Sequence, residues 1–245
     1  METIDQLYNW FYLDKKCANS KISNCSTSLR VAPIKKVDNY DFLEIDHEHF
    51  AFAEKNENWE IEYFHGLKNF LWIERNSYPP IAIFDNHNHA ITFRYNIIYI
   101  QKIKNIELIH IDQHSDNWEN KNHLKLNQDK NELEKVFKFC NEKCNVWNFI
   151  TPSIECWIIK SQRQIRSTTS LKNLKIEENQ KFILDIDLDF CLNWINRNNI
   201  NNESVELLKN KFDKIRNSAS LITIATSPYF IKQELSIDII NYLLS

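Results

Sequence analysis

The most unusual absence in this 245-residue chain is glycine, which occurs once, at Gly66. A phosphate-binding loop, a dinucleotide-binding fingerprint and a nucleophile elbow all need several glycines, because the backbone must turn sharply or approach a ligand closely. A single glycine therefore excludes these three motifs. Asparagine tolerates positive φ angles best after glycine, and we expect the positions with positive φ to fall largely to asparagine.

The chain also lacks an excess of positive charge and a long apolar run. Its 30 basic and 33 acidic residues give a net charge of -3, whereas nucleic-acid-binding proteins usually carry a basic patch. No segment approaches the roughly 20 apolar residues of a membrane helix. Residues 1–16 lack the basic and apolar regions of a signal peptide. We therefore expect a cytoplasmic protein that binds neither nucleic acid nor a membrane.

Cysteine is present, but in no metal-binding pattern. The six cysteines stand at positions 17, 25, 140, 144, 156 and 191. Cys140 and Cys144 lie four apart in a helical pattern, and no second close pair completes a four-thiolate zinc site. We interpret all six as reduced thiols that behave as small apolar residues.

Strands and helices are predicted to alternate after residue 79. Apolar runs predict strands at Ile81–Phe84, Ile106–Ile111, Lys181–Leu188 and Leu221–Ala225, and a strand end at Val146–Ile150. Helical periodicity predicts helices at Ala90–Lys104, Asp129–Lys143, Glu203–Asn217 and Tyr229–Leu244. A further helix is predicted from Pro152 to about Gln162, with Thr151 as its cap. This alternation indicates an α/β fold with three α/β/α layers around a central, mostly parallel sheet.

The first 75 residues have a mixed pattern. Short strands are predicted near Asp41–Ile45 and Trp59–Phe64, and a short helix at Leu67–Arg75. No Pro-, Gly- or Ser-rich linker separates this part from the rest. We therefore treat residues 1–245 as one domain, with residues 1–75 as a mixed N-terminal part.

The stretch Ile106–Asp116, IELIHIDQHSD, joins an apolar strand to three side chains that can bind metal. Ile106–Ile111 has the β-branched density of a buried strand, and Asp112, His114 and Asp116 follow it. Residues at i, i+2 and i+4 point the same way while a chain stays extended. We expect two carboxylates and an imidazole to converge past the C-terminal end of this strand, where open α/β sheets bind ligands.

Two further stretches place similar residues after strands. The sequence KFILDIDLDF (181–190) carries Asp185, Asp187 and Asp189 at the same spacing of two. The sequence DNHNH (85–89) follows the first predicted strand. That strand, its helix and the strand before Asp112 form a βαβ unit, whose parallel strands end at the same edge of the sheet. The segments 85–89 and 112–116 are therefore expected to be neighbours.

Several carboxylates placed together imply cations. Asp112, Asp116, Asp185 and Asp187 in one site would repel each other enough to force protonation or unfolding. Two divalent metals would neutralise them, and a carboxylate-rich site with a little imidazole suits manganese, or less well iron or magnesium, better than structural zinc. Such a site lowers the pKa of a bound water and positions the hydroxide for attack on a planar electrophilic carbon.

The remaining histidines are interpreted as ordinary residues. One histidine of DNHNH is expected to be structural, since partners of the ligands often surround a metal site. His47 and His49 are interpreted as surface polar sequence. His65, His110 and His123 are interpreted as histidines satisfied by their local surroundings.

The motifs HNHA (87–90), IDQHSD (111–116) and LDIDLDF (184–190) resemble those of the arginase/deacetylase superfamily of metallohydrolases. Arginase-type enzymes carry a strand-end histidine, then D-A-H-x-D, then D-x-D-x-x-D-P. With TIATSP (223–228), the set is similar to the peptide arginase family, whose bacterial members turn arginine side chains of a ribosomally made precursor peptide into ornithine. The resemblance covers roughly residues 80–230, which would form the metal-binding core.

The resemblance implies an arginase-like fold and two manganese ions held by six residues. These are Asp112 and Asp185 bridging the ions, His89 and Asp116 on one ion, and His114 and Asp187 on the other. Alignment with the first motif favours His89 over His87 as the histidine ligand. Asp85, His87 and Asp189 are then surrounding groups or alternative ligands, and Asp187 with Asp189 is an alternative register for the last motif.

The implied reaction releases urea from a guanidinium group. Asp116 would orient the hydroxide that attacks the guanidinium carbon, and Glu234 or Glu155 would grip the guanidinium. Free-arginine arginases have glycines beside the first histidine, a D-P ending on the third motif and a glutamate near the last strand. This chain has Asn86, Phe190 and Thr226 at or near those places, which argues against free arginine as the substrate.

Three functions remain open on the sequence. The leading hypothesis is a dimanganese hydrolase that converts arginine side chains of a peptide to ornithine and urea. The second is a metal-dependent amide or amidine hydrolase, or a deacetylase, acting on another substrate. The third is a non-catalytic peptide-binding module that keeps the fold and uses its aromatic residues, including seven Trp. The oligomeric state is open.

Overall fold

A computed structural model describes residues 3–13, 27–40, 43–75, 78–127, 130–177, 180–193 and 196–245. Within these ranges the chain forms thirteen strands and seven α-helices. The strands are β1 Phe11–Leu13, β2 Leu29–Val31, β3 Ile34–Val37, β4 Ile45–Lys55, β5 Ile61–Leu67, β6 Phe70–Ile73, β7 Ile81–Phe84, β8 Glu107–Ile111, β9 Ser161–Ile165, β10 Phe182–Asp187, β11 Leu192–Asn193, β12 Asn196–Ile200 and β13 Leu221–Ala225. The helices are α1 Ile4–Leu7, α2 Ala90–Gln101, α3 Leu133–Lys143, α4 Ile150–Glu155, α5 Thr168–Asn173, α6 Asn202–Ile215 and α7 Gln233–Leu244.

Seven of the described strands form one sheet, in the order β3-β6-β7-β13-β10-β8-β9. All of its neighbouring pairs are parallel except β6 with β7, which is antiparallel. The predicted α/β class and mostly parallel sheet are therefore confirmed. The strands β7 and β8 run parallel but are not adjacent, because β13 and β10 lie between them.

Both faces of this sheet are apolar, because alternate residues of each strand enter different hydrophobic clusters. In β6, Phe70 and Trp72 belong to one cluster, while Leu71 and Ile73 belong to the other. The first cluster takes in buried residues of α1, α2, α3 and α4. The second takes in buried residues of α5, α6 and α7. Continuous burial along the strands fits a parallel sheet that is covered on both faces.

The N-terminal part is built mainly of strands. β4 and β5 form a long antiparallel hairpin, and β1 pairs with β2. The predicted helix at Leu67–Arg75 is wrong, because Phe70–Ile73 is the strand β6, buried at every position. Successive side chains of this segment enter the two apolar clusters alternately, as in a strand and not as in a helix. The predicted strand at Asp41–Ile45 falls partly on Asp41 and Phe42, which lie outside the described residues.

The region between β8 and β10 differs most from the prediction. Val146–Ile150 is not a strand end, and α4 begins at Ile150 without a side-chain cap from Thr151. This helix ends at Glu155 rather than near Gln162, and the strand β9 follows it. The predicted strands at 81–84 and 221–225 are confirmed with the same bounds, and those at 106–111 and 181–188 are confirmed with shorter ends. The predicted helices at 90–104, 129–143, 203–217 and 229–244 are confirmed with bounds that differ by at most four residues.

The expectation for positive φ is wrong in the part of the chain that the structure describes. The seven non-glycine residues there with positive φ include only one asparagine; they are Trp10, Trp59, Lys102, Asn105, Asp116, Trp157 and Ser227. Gly66 does not have positive φ. Glycine is needed at this position because the side chain of Asp85 lies directly against its backbone, and a Cβ atom at Gly66 would overlap Oδ2 of Asp85.

Two further expectations concern membranes and cysteines. Among the described residues, no helix has the length and apolar character needed to cross a membrane. Cys140, Cys144, Cys156 and Cys191 are free and buried. Cys17 and Cys25 lie outside the described residues.

Candidate metal centre

The candidate site lies at the C-terminal ends of β7, β8, β10 and β13, which point the same way in the sheet. Short turns follow two of these strands, at His87–His89 and at Leu188–Cys191. The segments 85–89 and 112–116 are neighbours, as expected, although their strands are not adjacent. This edge of an open α/β sheet is where ligands bind in many proteins.

His87 lies at the centre of the cluster. Its Nδ1 atom is 3.1 Å from Oδ2 of Asp112, 3.2 Å from Oδ2 of Asp116 and 3.1 Å from Oδ2 of Asp187. Its Nε2 atom is 3.0 Å from Oδ2 of Asp185. Four carboxylates from the ends of β8 and β10 therefore meet at one buried imidazole, which follows β7.

His110 also belongs to the cluster, which the interpretation of it as an ordinary histidine missed. Its Nδ1 atom lies 2.7 Å from Oδ2 of Asp185, and its Nε2 atom lies 3.3 Å from Oδ2 of Asp112. His110 stands two residues before Asp112 near the end of β8, so the i, i+2 rule extends backwards as well as forwards. The pattern H-x-D-x-H-x-D in the sequence was the signal for it.

The two oxygens of Asp112 face different partners. Oδ2 lies toward His87 and His110, at 3.1 and 3.3 Å. Oδ1 accepts the backbone N–H of His114 at 2.5 Å and lies 3.4 Å from the Nδ1 atom of that histidine. This carboxylate thus lies between two groups of possible ligands.

Asp189 and His114 form the second of these groups. Nδ1 of His114 lies 2.8 Å from Oδ2 of Asp189. Asp187 lies instead with His87, accepts the hydroxyl of Ser227 at 2.5 Å and accepts the backbone N–H of Asp189 at 3.0 Å. The structure therefore places His114 with Asp189, whereas the alignment had paired it with Asp187.

Asp185 is held by a helix and by a neighbouring strand on one face of the sheet. Its Oδ1 atom lies 2.7 Å from a terminal nitrogen of Arg94, which projects from α2 and is fully buried. The same oxygen accepts the hydroxyl of Thr223 on β13. Only Oδ2 of Asp185 faces the two imidazoles, His87 and His110.

The carboxylates and imidazoles shift each other's protonation. Burial would lower the pKa of His110, but Asp112 and Asp185 raise it to about 9. Burial would also lower the pKa of His114, but Asp112 and Asp189 raise it to about 11. Burial, reinforced by the charge of Asp112, raises the pKa of Asp116 to about 7. The cluster therefore favours positive charge on or near its carboxylates.

Four groups of three ligand atoms lie within 4.8 Å of one another in the described residues. They are His87 with His110 and Asp185, His87 with Asp112 and Asp187, His110 with Asp112 and Asp116, and Asp112 with His114 and Asp189. Oδ2 of Asp116 and Nε2 of His110 are buried and have no hydrogen-bond partner. Buried polar atoms without partners are rare in folded proteins. These residues therefore fit a metal ion, with a donor set of oxygens and imidazole nitrogens.

Four other residues named from the sequence lie outside these groups. His89 contacts the hydroxyl of Tyr8 at 3.1 Å through Nδ1, away from the carboxylates. Asp85 accepts the backbone N–H of Leu67 at 2.6 Å. Glu234 is exposed in the first turn of α7, and Glu155 lies 3.4 Å from His123. The described contacts thus bring His87, and not His89, to the carboxylates, and which of the two binds a metal stays a prediction.

Two residues at the site have strained backbones. Asp116 has φ 51° and Ser227 has φ 46°, in the left-handed region that non-glycine residues rarely adopt. Both side chains reach the cluster, one through His87 and one through Asp187. Strained backbone of this kind is found most often at functional sites.

Comparisons with known proteins identify no relatives. No protein-family model matches the chain, and no curated protein matches it. Any family assignment is therefore carried by the motifs and by the geometry described above.

Proposed function

We propose that this chain is a two-metal hydrolase, similar to the peptide arginases, that converts arginine side chains of a peptide to ornithine and urea. The proposal includes an arginase-like fold of three α/β/α layers. Its support is the joining of three motifs from separate strand ends into one buried cluster. The first motif contributes His87, the second Asp112, His114 and Asp116, and the third Asp185, Asp187 and Asp189.

Charge balance is the observation that carries the proposal. Five buried carboxylates, with the guanidinium of Arg94 beside them, leave four negative charges when the imidazoles are neutral. Without metal, protons on the imidazoles offset part of this charge, because the pKa values of His110 and His114 are raised. Imidazoles that bind a metal are neutral, and the four charges then need cations. Two divalent cations would balance them, and oxygen-rich donor sets with imidazole suit manganese. The five are Asp112, Asp116, Asp185, Asp187 and Asp189.

The geometry favours an unequal division of the ligands between the two ions. Asp112 would be shared, because its two oxygens face different partners. One ion would be held on the side of Asp112 that carries His87, and the other on the side that carries His114. The members of the first side are His87, His110, Asp116, Asp185 and Asp187, and those of the second are His114 and Asp189.

The reaction adds water to the guanidinium carbon. The bond between Cζ and Nε of the arginine breaks, the oxygen of the water becomes the carbonyl oxygen of urea, and both protons of the water end on the departing amine. Bound divalent cations would supply charge neutralisation and a water of lowered pKa. Oδ2 of Asp116, which has no hydrogen-bond partner, would orient the attacking water. Ser227 and Thr223 would hold Asp187 and Asp185 in place through their hydroxyls.

Metal content is the first test of this proposal. The protein is dialysed against Mn²⁺ and then against buffer, and its metal is measured by elemental analysis, beside an Asp112→Ala/Asp185→Ala variant. We expect about two manganese per chain in the wild type, as a two-metal site requires, and a loss in the variant. An Asp112→Asn variant, which keeps the side-chain shape, serves if the double variant does not fold. A wild type without stoichiometric metal would overturn the proposal.

Substrate class is tested on the manganese-loaded protein. An arginine-containing peptide, free arginine, agmatine and an acetyl-lysine peptide are incubated in parallel and followed by mass spectrometry. The proposal expects ornithine and urea from the peptide and little turnover of the other three. Turnover of the acetyl-lysine peptide alone would favour a deacetylase, and binding of peptides without turnover would favour a peptide-binding module.

A further inference from the structure

Among the proposed ligands, only His114 has substantial exposure. Its side chain is 32% exposed, whereas the side chains of the other seven are at most 4% exposed. Any side chain that reaches the cluster in this conformation must therefore pass beside His114. The surface around that imidazole becomes the candidate binding surface for a substrate.

A series of aromatic rings leads from solvent to His114. The imidazole lies 4.5 Å from the ring of Phe230, measured between centroids. Phe230 contacts Trp147 at 6.4 Å, and Trp147 stacks on Trp118 at 6.1 Å. Trp118 is 53% exposed, so the series ends at the surface.

The hairpin β4–β5 and the segment after β13 pack against this surface from inside, where Phe52 is 1% and Trp147 8% exposed. Phe52 of β4 and Phe64 of β5 each lie 5.4 Å from the ring of Tyr229, and Tyr229 contacts Phe230. We call the six residues the aromatic rim: Phe52, Phe64, Trp118, Trp147, Tyr229 and Phe230. None of the six carries a formal charge at neutral pH.

Backbone hydrogen bonds fix the rim relative to the cluster. The N–H of Trp118 donates to the carbonyl of Trp147 at 2.9 Å, and the N–H of Ile150 donates to the carbonyl of Asp116 at 3.3 Å. Residues 116 and 118 lie in the same segment, so a ligand on the rim is held at a defined distance from the carboxylates. Such a link suits positioning of one side chain for reaction.

The chain itself shows how aromatic rings and carboxylates together hold a guanidinium. Arg30 is buried, lies 4.0 Å from the ring centroid of Trp10 and forms an ion pair with Asp46. Arg94 is buried, lies 5.2 Å from the ring of Phe149 and pairs with Asp185. Guanidinium groups are planar and weakly hydrated, and they stack on aromatic faces.

We propose that the aromatic rim binds the guanidinium-bearing side chain of a peptide arginine by cation–π stacking and directs it past His114. The inference rests on the proposed function, since it names the part of the site that selects the substrate. Phe230 would be the inner face, next to His114, and Trp118 the outer one. The rim thus selects a planar cation, and the carboxylates beyond it provide the opposite charge.

The test compares variants of the rim with a matched tryptophan outside it. The substrate is acetyl-Ala-Arg-Ala-amide with manganese-loaded protein, and KM and kcat are measured separately. The variants are Phe230→Leu, Trp118→Leu, Trp118→Phe and the control Trp157→Leu, in which the replaced ring is 72% exposed and lies outside the rim. Metal content is checked in each variant.

We expect KM to rise about 30-fold in Phe230→Leu and about 3-fold in Trp118→Leu, the sizes of desolvated and exposed cation–π contacts. Trp118→Phe keeps an aromatic ring, and its KM should stay close to that of the wild type. Removal of a contact made equally in the ground state and the transition state leaves kcat unchanged. Unchanged KM in both leucine variants, with active wild type, would overturn the inference and leave the proposed function standing.

Binding is measured as well, so that an inactive wild type still gives a decision. The arginine peptide and its citrulline counterpart, which is planar but neutral, are titrated while tryptophan fluorescence is followed. Preference for arginine that is lost in Trp118→Leu and Phe230→Leu supports the inference. Equal affinity for both peptides, or no binding of either, overturns it. Absent turnover with retained arginine preference would refute the hydrolase alone.

Discussion

His87 and His89 begin and end the same short turn, and both side chains are fully buried. His87 is surrounded by carboxylates, and burial, which alone would lower its pKa, is outweighed by Asp185 and its neighbours, so the pKa lies well above its usual value. His89 is surrounded by the rings of Tyr8, Phe70 and Phe84. There burial lowers the pKa to about 3.

The difference shows that surroundings, and not residue type, separate a candidate ligand from a core histidine. The sequence HNH alone does not indicate which of the two histidines faces the carboxylates. On a turn with three residues per revolution, side chains two apart point in different directions. They would share a direction only on an extended strand. The turn therefore sends His87 toward Asp112 and His89 toward Tyr8.

The largest effect on stability is expected from removing the guanidinium of Arg94, which pairs with Asp185 in the carboxylate cluster around His87. In EDTA, Arg94→Met should lower the free energy of unfolding by about 3–5 kcal/mol, because the buried carboxylate of Asp185 loses its partner. Urea unfolding with an unchanged m-value measures this loss. Arg94→Lys, which keeps the charge, should lose less and serves if the methionine variant does not fold.

Arg216→Met is the matched control for that experiment. Its side chain is 29% exposed and lies 3.5 Å from Asp213, and exposed ion pairs contribute about 0–1 kcal/mol. Equal losses in the two methionine variants would mean that Arg94 does not compensate the cluster. The difference between the charged surroundings of His87 and the neutral surroundings of His89 would then not explain the stability of this cluster.

The next effect concerns metal affinity and separates the two histidines directly. His87→Ala should weaken manganese binding by at least about 100-fold, because loss of a ligand should cost no less than loss of a group that only surrounds a metal site, which costs about 10–100-fold. His89→Ala should leave the affinity unchanged, because no carboxylate of the cluster lies among its described contacts. Isothermal titration with Mn²⁺ measures both. Weaker binding in His89→Ala than in His87→Ala would restore the assignment that the alignment favoured.

The extended-strand rule explains what could be predicted from the sequence. Asp112 and Asp185 lie at the ends of strands that are continuous apolar runs, and such runs were located to within a residue or two. The same rule, applied backwards along β8, would have included His110. The alternation of strands and helices after residue 79 likewise predicted the class of fold and the mostly parallel sheet.

The rest depended on tertiary contacts that have no local signal. Phe70–Ile73 is a strand because both of its faces meet apolar clusters, which its own sequence does not reveal. Arg94 lies on a helix far along the chain from Asp185, and nothing in its neighbours marks it as buried. Positive φ at Asp116 and Ser227 likewise follows from the site rather than from residue preference.

The smallest effect on stability is expected from a change beside His89, whose described contacts are with neutral groups. Tyr8→Phe removes the hydroxyl that lies 3.1 Å from Nδ1 of His89, whose Nε2 has no hydrogen-bond partner. Loss of one neutral buried hydrogen bond should cost about 1 kcal/mol of unfolding free energy, with manganese affinity unchanged. Tyr242→Phe is the control, because that hydroxyl donates to Glu206 at the surface and its loss should cost less. A Tyr8→Phe variant that loses manganese affinity would show that the two histidines are coupled, and the uncharged surroundings of His89 would then belong to the metal centre.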